Sequence, residues 1–402
     1  MTEALDDLLV LDTTVEFWAS LGVTLLADFG ANVIKVEPLP DARQHRINGS
    51  DAADDDAGWD YRFELANRNK RSLALDLDTP GGREALEALV AKADVFVVDG
   101  PPSSQRERRL DYESLSRLKP DLVYTRASGF GPKGPDADLP ALDELAAARA
   151  GMMPILPQPG QPPVYPGSGQ VYTSVMLTFG VMAALRHRTA TGEGQEVDVS
   201  LLAGNMYGGS LDLQAYLAIG GERFLHPVSR LDAGNPMSGT LYQASDGLWV
   251  TLTMPDTDRW WPALAEVTGL EVADPRFDSH EQRCEVNRLE LIAELESAFR
   301  KQPATHWRSV FSERQMSADV IEDYAYPTND KQAYDNRYIL DVDHPAHGPV
   351  KTIGFPIHMS ETPAGLRRHA PALGEHSAEV LGELLGYSPQ QIEELEASGA
   401  VA

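Results

Sequence analysis

Two hydrophobic periods alternate along the N-terminal third of the chain. Short apolar runs at Leu8–Asp12, Asn32–Glu37, Ser72–Leu77, Asp94–Asp99 and Leu122–Ala127 have the length and β-branched content of buried strands. Between them, Phe17–Phe29 repeats its apolar residues at helical spacing and stops at Gly30, a suitable residue for a left-handed helix end. Thr79 and Pro80 supply an N-cap and a first-turn proline for a helix over Gly82–Ala93. Strands separated by helices predict an α/β fold whose parallel sheet is covered on both faces.

The middle of the chain reads differently. Val171–Arg186 is a long apolar helix, and Gly192–Gln195 (GEGQ) turns into a strand at Glu196–Leu201. A second helical stretch runs from about Leu202 to Ile219, followed by a Gly- and Pro-punctuated segment at Ala233–Gly239. A strand at Leu248–Met254 and helices at Trp260–Thr268 and Asn287–Arg300 predict a smaller α+β unit. A strand at Lys351–Pro356 and a helix at Glu375–Leu385 close the chain. The expected organisation is a large domain whose N-terminal part is 1–205, a linker helix at 206–227, and a small α+β domain at 228–330. Residues 331–402 supply a second linker and the C-terminal part of the large domain.

Charge narrows the partners. The 402 residues carry 34 Lys+Arg against 61 Asp+Glu, a net charge of −27. That excludes a general binder of nucleic acid or anionic membranes, both of which need a basic footprint. The five aspartates of Asp51–Asp60 and the tail after Arg368, which has no Lys or Arg, hold part of the surplus; the first reads as a solvated loop. The single cysteine, Cys284, excludes an intrachain disulfide framework. No secretory signal and no apolar run long enough for a membrane span are visible, so the expected location is cytoplasmic. His280 with Cys284, and His344 with His347, have ligand-like spacing but no further ligand nearby, and no metal is expected.

Within so acidic a chain, NRNKRS (Asn67–Ser72) places Arg68, Lys70 and Arg71 where a loop enters a strand. Two readings stand: a solvated turn, or a phosphate site. Lys35 in NVIKVE has the same two readings. No G-x-S-x-G or P-loop sequence is present, which removes the main support for serine-hydrolase and nucleotidase readings.

These pieces together resemble family III CoA-transferases, the group that includes formyl-CoA transferase, carnitine CoA-transferase and α-methylacyl-CoA racemase. LLADFGANVIKVE (Leu25–Glu37), NRNKRSLALDL (Asn67–Leu77) and SGFGPKGP (Ser128–Pro135) carry the first half of the resemblance. ALRHRTATGEGQEVDVSLL (Ala184–Leu202), DHPAHGPV (Asp343–Val350) and LGEHSAEVLGELLGYS (Leu373–Ser388) extend it in order. The resemblance implies a Rossmann-like large domain built from both chain ends, a smaller α+β domain, and two ring-like protomers interlocked in a dimer. It implies coenzyme A or an acyl-CoA as substrate with a carboxylic acid as co-substrate, and no metal. It raises the phosphate reading of Arg68, Lys70 and Arg71, and adds Lys35 and Arg106 as coenzyme-binding residues.

One position departs from that family. Its transferases carry a nucleophilic aspartate at the start of the long helix before the H-R-x-x-T-G-x-G-Q turn; counted back without gaps from His187-Arg188, that position here is Gln170. No shift of alignment restores it, because no acidic residue lies between Glu144 and Glu193. A neutral amide is a poor nucleophile. Asp143 in PALDELAAARAG survives, although Leu142 stands where the family's racemases have a histidine. Asp143 reads either as an active-site carboxylate or as the N-cap of the following helix. Asp99–Ser103 replaces the family's N-F-R-P-G stretch, with Arg106, Arg108 and Arg109 just beyond as substitute cations. Ser168 is a conceivable nucleophile without an identifiable base. Trp18, Tyr165, Trp260 and Trp261 read as acyl-pocket or core residues. Three functions remain: an enzyme acting on an acyl-CoA without the usual nucleophile, a non-catalytic subunit pairing with an Asp-bearing paralogue, and a CoA-ester binding protein; the expected assembly is a homodimer or a heterodimer with a homologous subunit.

Overall fold

The computed structural model describes residues 3–39, 59–221 and 225–402. Of the aspartate-rich stretch, only Trp59 and Asp60 lie within the described residues; the remainder, with the loop expected there, lies outside them. The chain forms two compact units, Met1–Met153 with Tyr165–Gly221 and Tyr334–Ala402, and Pro154–Val164 with Glu222–Ala333.

The larger unit is built on a six-stranded parallel sheet of β1 (Leu9–Asp12), β2 (Asn32–Pro38), β3 (Arg71–Leu75), β4 (Val95–Asp99), β5 (Val123–Ser128) and β6 (Gln195–Ser200). The strand order is β3-β2-β1-β4-β5-β6, so the chain reverses its direction of winding between β1 and β4. Adjacent residues feed opposite faces. Leu11, Ile34, Leu73, Phe96 and Tyr124 pack with Leu86 and Leu89 of a helix at Pro80–Val90. Val10, Val33, Val95 and Val97 pack with Val23 and Leu26 of α1 (Phe17–Asp28) and with Leu177 and Val181 of a long helix at Gly169–Thr191. Each such side chain contributes roughly 1.5–3 kcal/mol when fully buried. The C-terminal segment completes the first face: Val380, Leu381 and Ile392 join its core, and Val401 bridges to Leu75. Gly22 allows α1 to approach the long helix, because a Cβ there would meet the Ser174 carbonyl oxygen at 2.8 Å.

Helix limits differ from the sequence pattern at several ends, most clearly in the following three stretches. The helix expected at Val171–Arg186 runs over Gly169–Thr191 and ends where Gly192 turns left-handed at φ 79°. The stretch expected as one helix to Ile219 is two, Leu201–Gly208 and Ser210–Ile219, broken at the Gly208–Gly209 pair where helix propensity is poorest. The helix expected at Glu375–Leu385 is a short α-helix, Ser377–Val380, widening into a π turn through Leu385, and a further helix, Pro389–Ala397, follows it.

The smaller unit carries a three-stranded antiparallel sheet, β7 (Ser238–Gln243), β8 (Trp249–Thr253) and β9 (Ala318–Ile321), with helices at Thr257–Thr268, Arg288–Phe299 and Ala304–Glu313. Its core is aromatic: Phe299 lies 4.7 Å from Trp307 and 5.1 Å from Tyr242 between ring centroids. Trp261 belongs to this core and donates its Nε1–H to the Val272 carbonyl at 3.0 Å. Trp18 is likewise core, on the second face of the large sheet.

Candidate active site

A cleft of about 790 Å³ opens at the carboxyl ends of the parallel strands, where the winding reverses. In open α/β sheets this switch point is the usual place for a ligand, because the loops leaving β1 and β4 diverge there. Thr13, Val15 and Glu16 line it from the loop after β1, and Asp99, Gly100 and Pro101 from the loop after β4. Arg83 and Arg108 are the cations among its lining residues, and Pro140 and Ala141 extend it to within two residues of Asp143.

Asp143 opens α2 (Asp143–Ala150) without capping it; Leu142 holds the N-cap position. Its carboxylate instead accepts from the Tyr165 hydroxyl at 2.6 Å and from Asn205 Nδ2 at 2.8 Å. Burial and the bond to Asp143 push the Tyr165 phenol up, so it stays a donor. Asn205, buried in α4 (Leu201–Gly208), follows the long helix α3 (Gly169–Thr191) in the chain and is anchored by a second bond to the Leu201 carbonyl at 2.9 Å. Its amide occupies the space where a Cβ on Gly169 would stand. Asp143 is therefore tied through Asn205 to the first turn of α3. Gly169→Ala is expected to displace Asn205 and cost about 1–3 kcal/mol, measured by urea unfolding. An unchanged midpoint would show that this contact is not tight.

Gln170 is the second residue of α3 and is half-buried. Ser168 makes no side-chain cap, and no acceptor among the described residues takes the first-turn N–H groups of Gly169 and Gln170. A helix start with free N–H groups stabilises negative charge, which suits the oxygen of a thioester under attack. The Ser168 hydroxyl makes no hydrogen bond among the described residues, so no base activates it.

The basic loop has another role. Arg68 pairs bidentately with Asp28 (3.0 and 2.8 Å) and donates to the Gly354 carbonyl. Lys70, fully buried, reaches Asp12 at 2.8 Å, the Ser20 carbonyl at 2.9 Å and Asn67 at 3.1 Å. Arg71 pairs with Glu379 and Glu383 at 2.8 and 2.6 Å. Lys35 lies 3.5 Å from Asp12 and donates to Ser20 Oγ and the Thr14 carbonyl. None of Arg68, Lys70, Arg71 or Arg106 lines the cleft; Arg106 is exposed on a short helix, Pro102–Glu107, whose residues Ser104, Gln105 and Glu107 do. Lys35 faces a separate cavity of about 80 Å³ with Thr14, Ser20 and Arg62. Burial alone would raise the Asp12 pKa, but Lys35 and Lys70 hold it down at about 2. Burial, partly offset by Asp12, lowers Lys70 to about 8.

Glu64, His344 and His369 bring their possible ligand atoms within 4.8 Å of one another. His344 Nδ1 accepts the Ala346 N–H at 3.2 Å, so neutral His344 carries its proton on Nε2, which faces Glu64 at 3.3 Å. The sequence expectation of no further ligand near His344 is thus corrected: Glu64 and His369, distant in the chain, stand beside it. His280 bonds Thr257 at 2.8 Å and lies 3.8 Å from Cys284, with no third ligand among the described residues.

The description of CoA-transferase family III matches residues 5–377. The chain belongs to CoA-transferase family III. This member is 34% identical over 403 residues to succinyl-CoA:mesaconate CoA-transferase of Haloarcula marismortui, covering 94% of this chain and 96% of that one. It is 29% identical over 378 residues to cinnamoyl-CoA:phenyllactate CoA-transferase of Clostridium sporogenes, covering 92% and 90%. Among solved structures, a CAIB/BAIF family protein from Brucella suis superposes with a TM-score of 0.82 at 26% identity, covering 96% of this chain and all of that one. Family membership agrees with the order of the six sequence segments and with the parallel sheet. Arg83, Glu16 and Asn205 were not singled out by their sequence surroundings. Only Asn205 carries a local hint, an amide in an otherwise apolar and glycine-rich helix.

Proposed function

We propose that this family III CoA-transferase acts on an acyl-CoA without forming the enzyme-bound thioester at the start of α3, and that Asp143 is its working carboxylate. The observation that carries this is the coupling of Asp143, through Asn205, to a helix start that bears Gln170 in place of an acid. The acyl group then passes directly to a nucleophile in the cleft. A carboxylic acid attacks as its carboxylate, the C–S bond breaks to leave a mixed anhydride and the CoA thiolate, and the thiolate then adds to the acceptor's carbonyl and expels the donor carboxylate, which transfers CoA between the acids. Water attacks with Asp143 taking its proton, the C–S bond breaks, and the proton returns to the leaving thiolate. The free N–H groups of Gly169 and Gln170 would hold the oxyanion. Arg83 and Arg108, with exposed Arg106 beside them, are the proposed phosphate ligands; Arg68, Lys70 and Arg71 would have to leave internal carboxylates to serve.

The same reading covers assembly and location. Val175, Phe179, Tyr207, Leu211 and Leu217 are 53–83% exposed on consecutive helices of the large unit, and Ser210–Ile219 buries none of its residues. An apolar face of this kind marks an interface, and a second chain of this family, in an interlocked dimer, is its proposed occupant in the cytoplasm. The presence of Gln170 favours one second reading, a heterodimer with an Asp-bearing homologue; native mass spectrometry of the protein from its own cells distinguishes the two.

A ligand screen tests the central assignment. At a hundredfold excess over Kd, a ligand that binds only the folded chain stabilises it by about 2.7 kcal/mol. Coenzyme A or an acyl-CoA is expected to raise Tm by several degrees. No shift with any of them would remove the acyl-CoA reading.

A further inference from the structure

Among the described residues, the lining of the switch-point cleft is poor in cations for a site that takes an anion. Glu16, Asp78, Asp99, Glu107 and Asp138 face it, against Arg83 and Arg108. Three of these acids are exposed or already stabilised: Asp78 and Glu107 lie in solvent, and Asp138 accepts the Ser103 N–H at 2.9 Å. The other two stand apart. Asp99 ends β4 and is 7% exposed, and one of its oxygens accepts the N–H groups of Val15 (2.7 Å) and Glu16 (2.6 Å). Glu16 holds the N-cap position of α1 without capping it, is half-buried, and its carboxyl makes no hydrogen bond or ion pair among the described residues.

We propose that Glu16 and Asp99, neighbouring carboxyls on the wall of the cleft, couple entry of an anionic thioester into the cleft to uptake of one proton. This rests on the acyl-CoA reading above. The pair is crowded on every described side. Lys35 on β2 and Asp12 on β1 act on Asp99, while Arg62, from the helix Tyr61–Asn67, acts on Glu16. Lys35 is already bound to Ser20, Thr14 and Asp12, so it cannot swing over to neutralise the pair. Burial and the neighbouring Asp99 push Glu16 up to about 7; burial, opposed by the two N–H groups and Lys35, leaves Asp99 at about 6. These values belong to the pair, which binds one proton near neutrality. A polyanion arriving in the cleft adds negative charge beside a carboxyl that has no partner, and the least costly answer is a proton from solvent.

The sign follows from linkage. A carboxyl whose pKa rises on binding favours binding fully below its free value and progressively less above it. Affinity therefore holds below about pH 7 and falls by up to tenfold per unit above it. The test is calorimetry of the full chain with coenzyme A and with acetyl-CoA, in phosphate and in Tris. From about pH 7.5 upward the ligand's phosphates, with a pKa of about 6, are already ionised. The expected result is uptake of close to one proton and a roughly tenfold loss of affinity over one pH unit. Glu16→Gln is expected to abolish the uptake and to bind tighter than the natural chain at the upper end. Asp99→Asn, read against its own folded fraction, is expected to reduce the uptake as well. Binding with a flat pH profile in the natural chain overturns the proposal on its own, whatever the variants do. Binding at no pH overturns the acyl-CoA reading instead and this proposal with it.

Discussion

Asp143→Asn is expected to lower release of CoA from its acyl-CoA by about 10²–10⁴-fold, the usual contribution of a positioned general base. Affinity for the acyl-CoA should change only a few-fold. The asparagine keeps the volume of the side chain and can still accept one of the bonds from Tyr165 and Asn205, so folding should survive. Steady-state kinetics with calorimetric binding separate the two effects: kcat falls while Kd stays. Parallel loss of binding and turnover would make Asp143 a structural residue tying α2 to the start of α3. Retained turnover with a carboxylic acid acceptor, alongside lost hydrolysis, would show that transfer proceeds by direct carboxylate attack without a base.

Asp12→Asn is expected to destabilise the large unit by about 3–5 kcal/mol, because it leaves Lys70 and Lys35 buried without their shared counter-charge. A domain's whole margin is about 5–15 kcal/mol, so much of the variant would be unfolded near physiological temperature. The same pair predicts an acid limb. Lys35 and Lys70 hold the Asp12 carboxyl at about 2 in the folded chain, well below its ordinary value of 3.8. Its contribution, about 2 kcal/mol, is complete above the unfolded value and is lost as pH falls from about 4 towards 2. Urea midpoints measured across that range check the sign, and a midpoint for Asp12→Asn equal to that of the natural chain would contradict the ion-pair account.

The strands of the large sheet were legible because burial on both faces leaves continuous apolar runs such as VFVVD in β4, which few other structures require. The chain's return was legible as a domain assignment for 331–402 but not in its contacts: Val380, Leu381 and Ile392 meet the core about 300 residues after the strands they cover. The cations show the opposite limit. NRNKRS looks like a free basic loop because its partners, Asp12, Asp28, Glu379 and Glu383, lie 40 to 312 residues away in the chain. Local sequence shows a charge and hides its counter-charge. Asp143 stood out in the sequence as a candidate carboxylate, but its two ordering contacts come from Tyr165 and Asn205, 22 and 62 residues onward. Gln170 needed no structure, since the absence of acid from 145 to 192 is a property of the sequence alone.

Intact and peptide mass spectrometry after incubation with acyl-CoA, on the natural chain and on Gln170→Asp side by side, tests the central claim most directly. The account predicts no covalent CoA on the natural chain under conditions where it binds the thioester, and a CoA thioester at position 170 in the variant. A CoA adduct on Gln170 or Ser168 of the natural chain would contradict it.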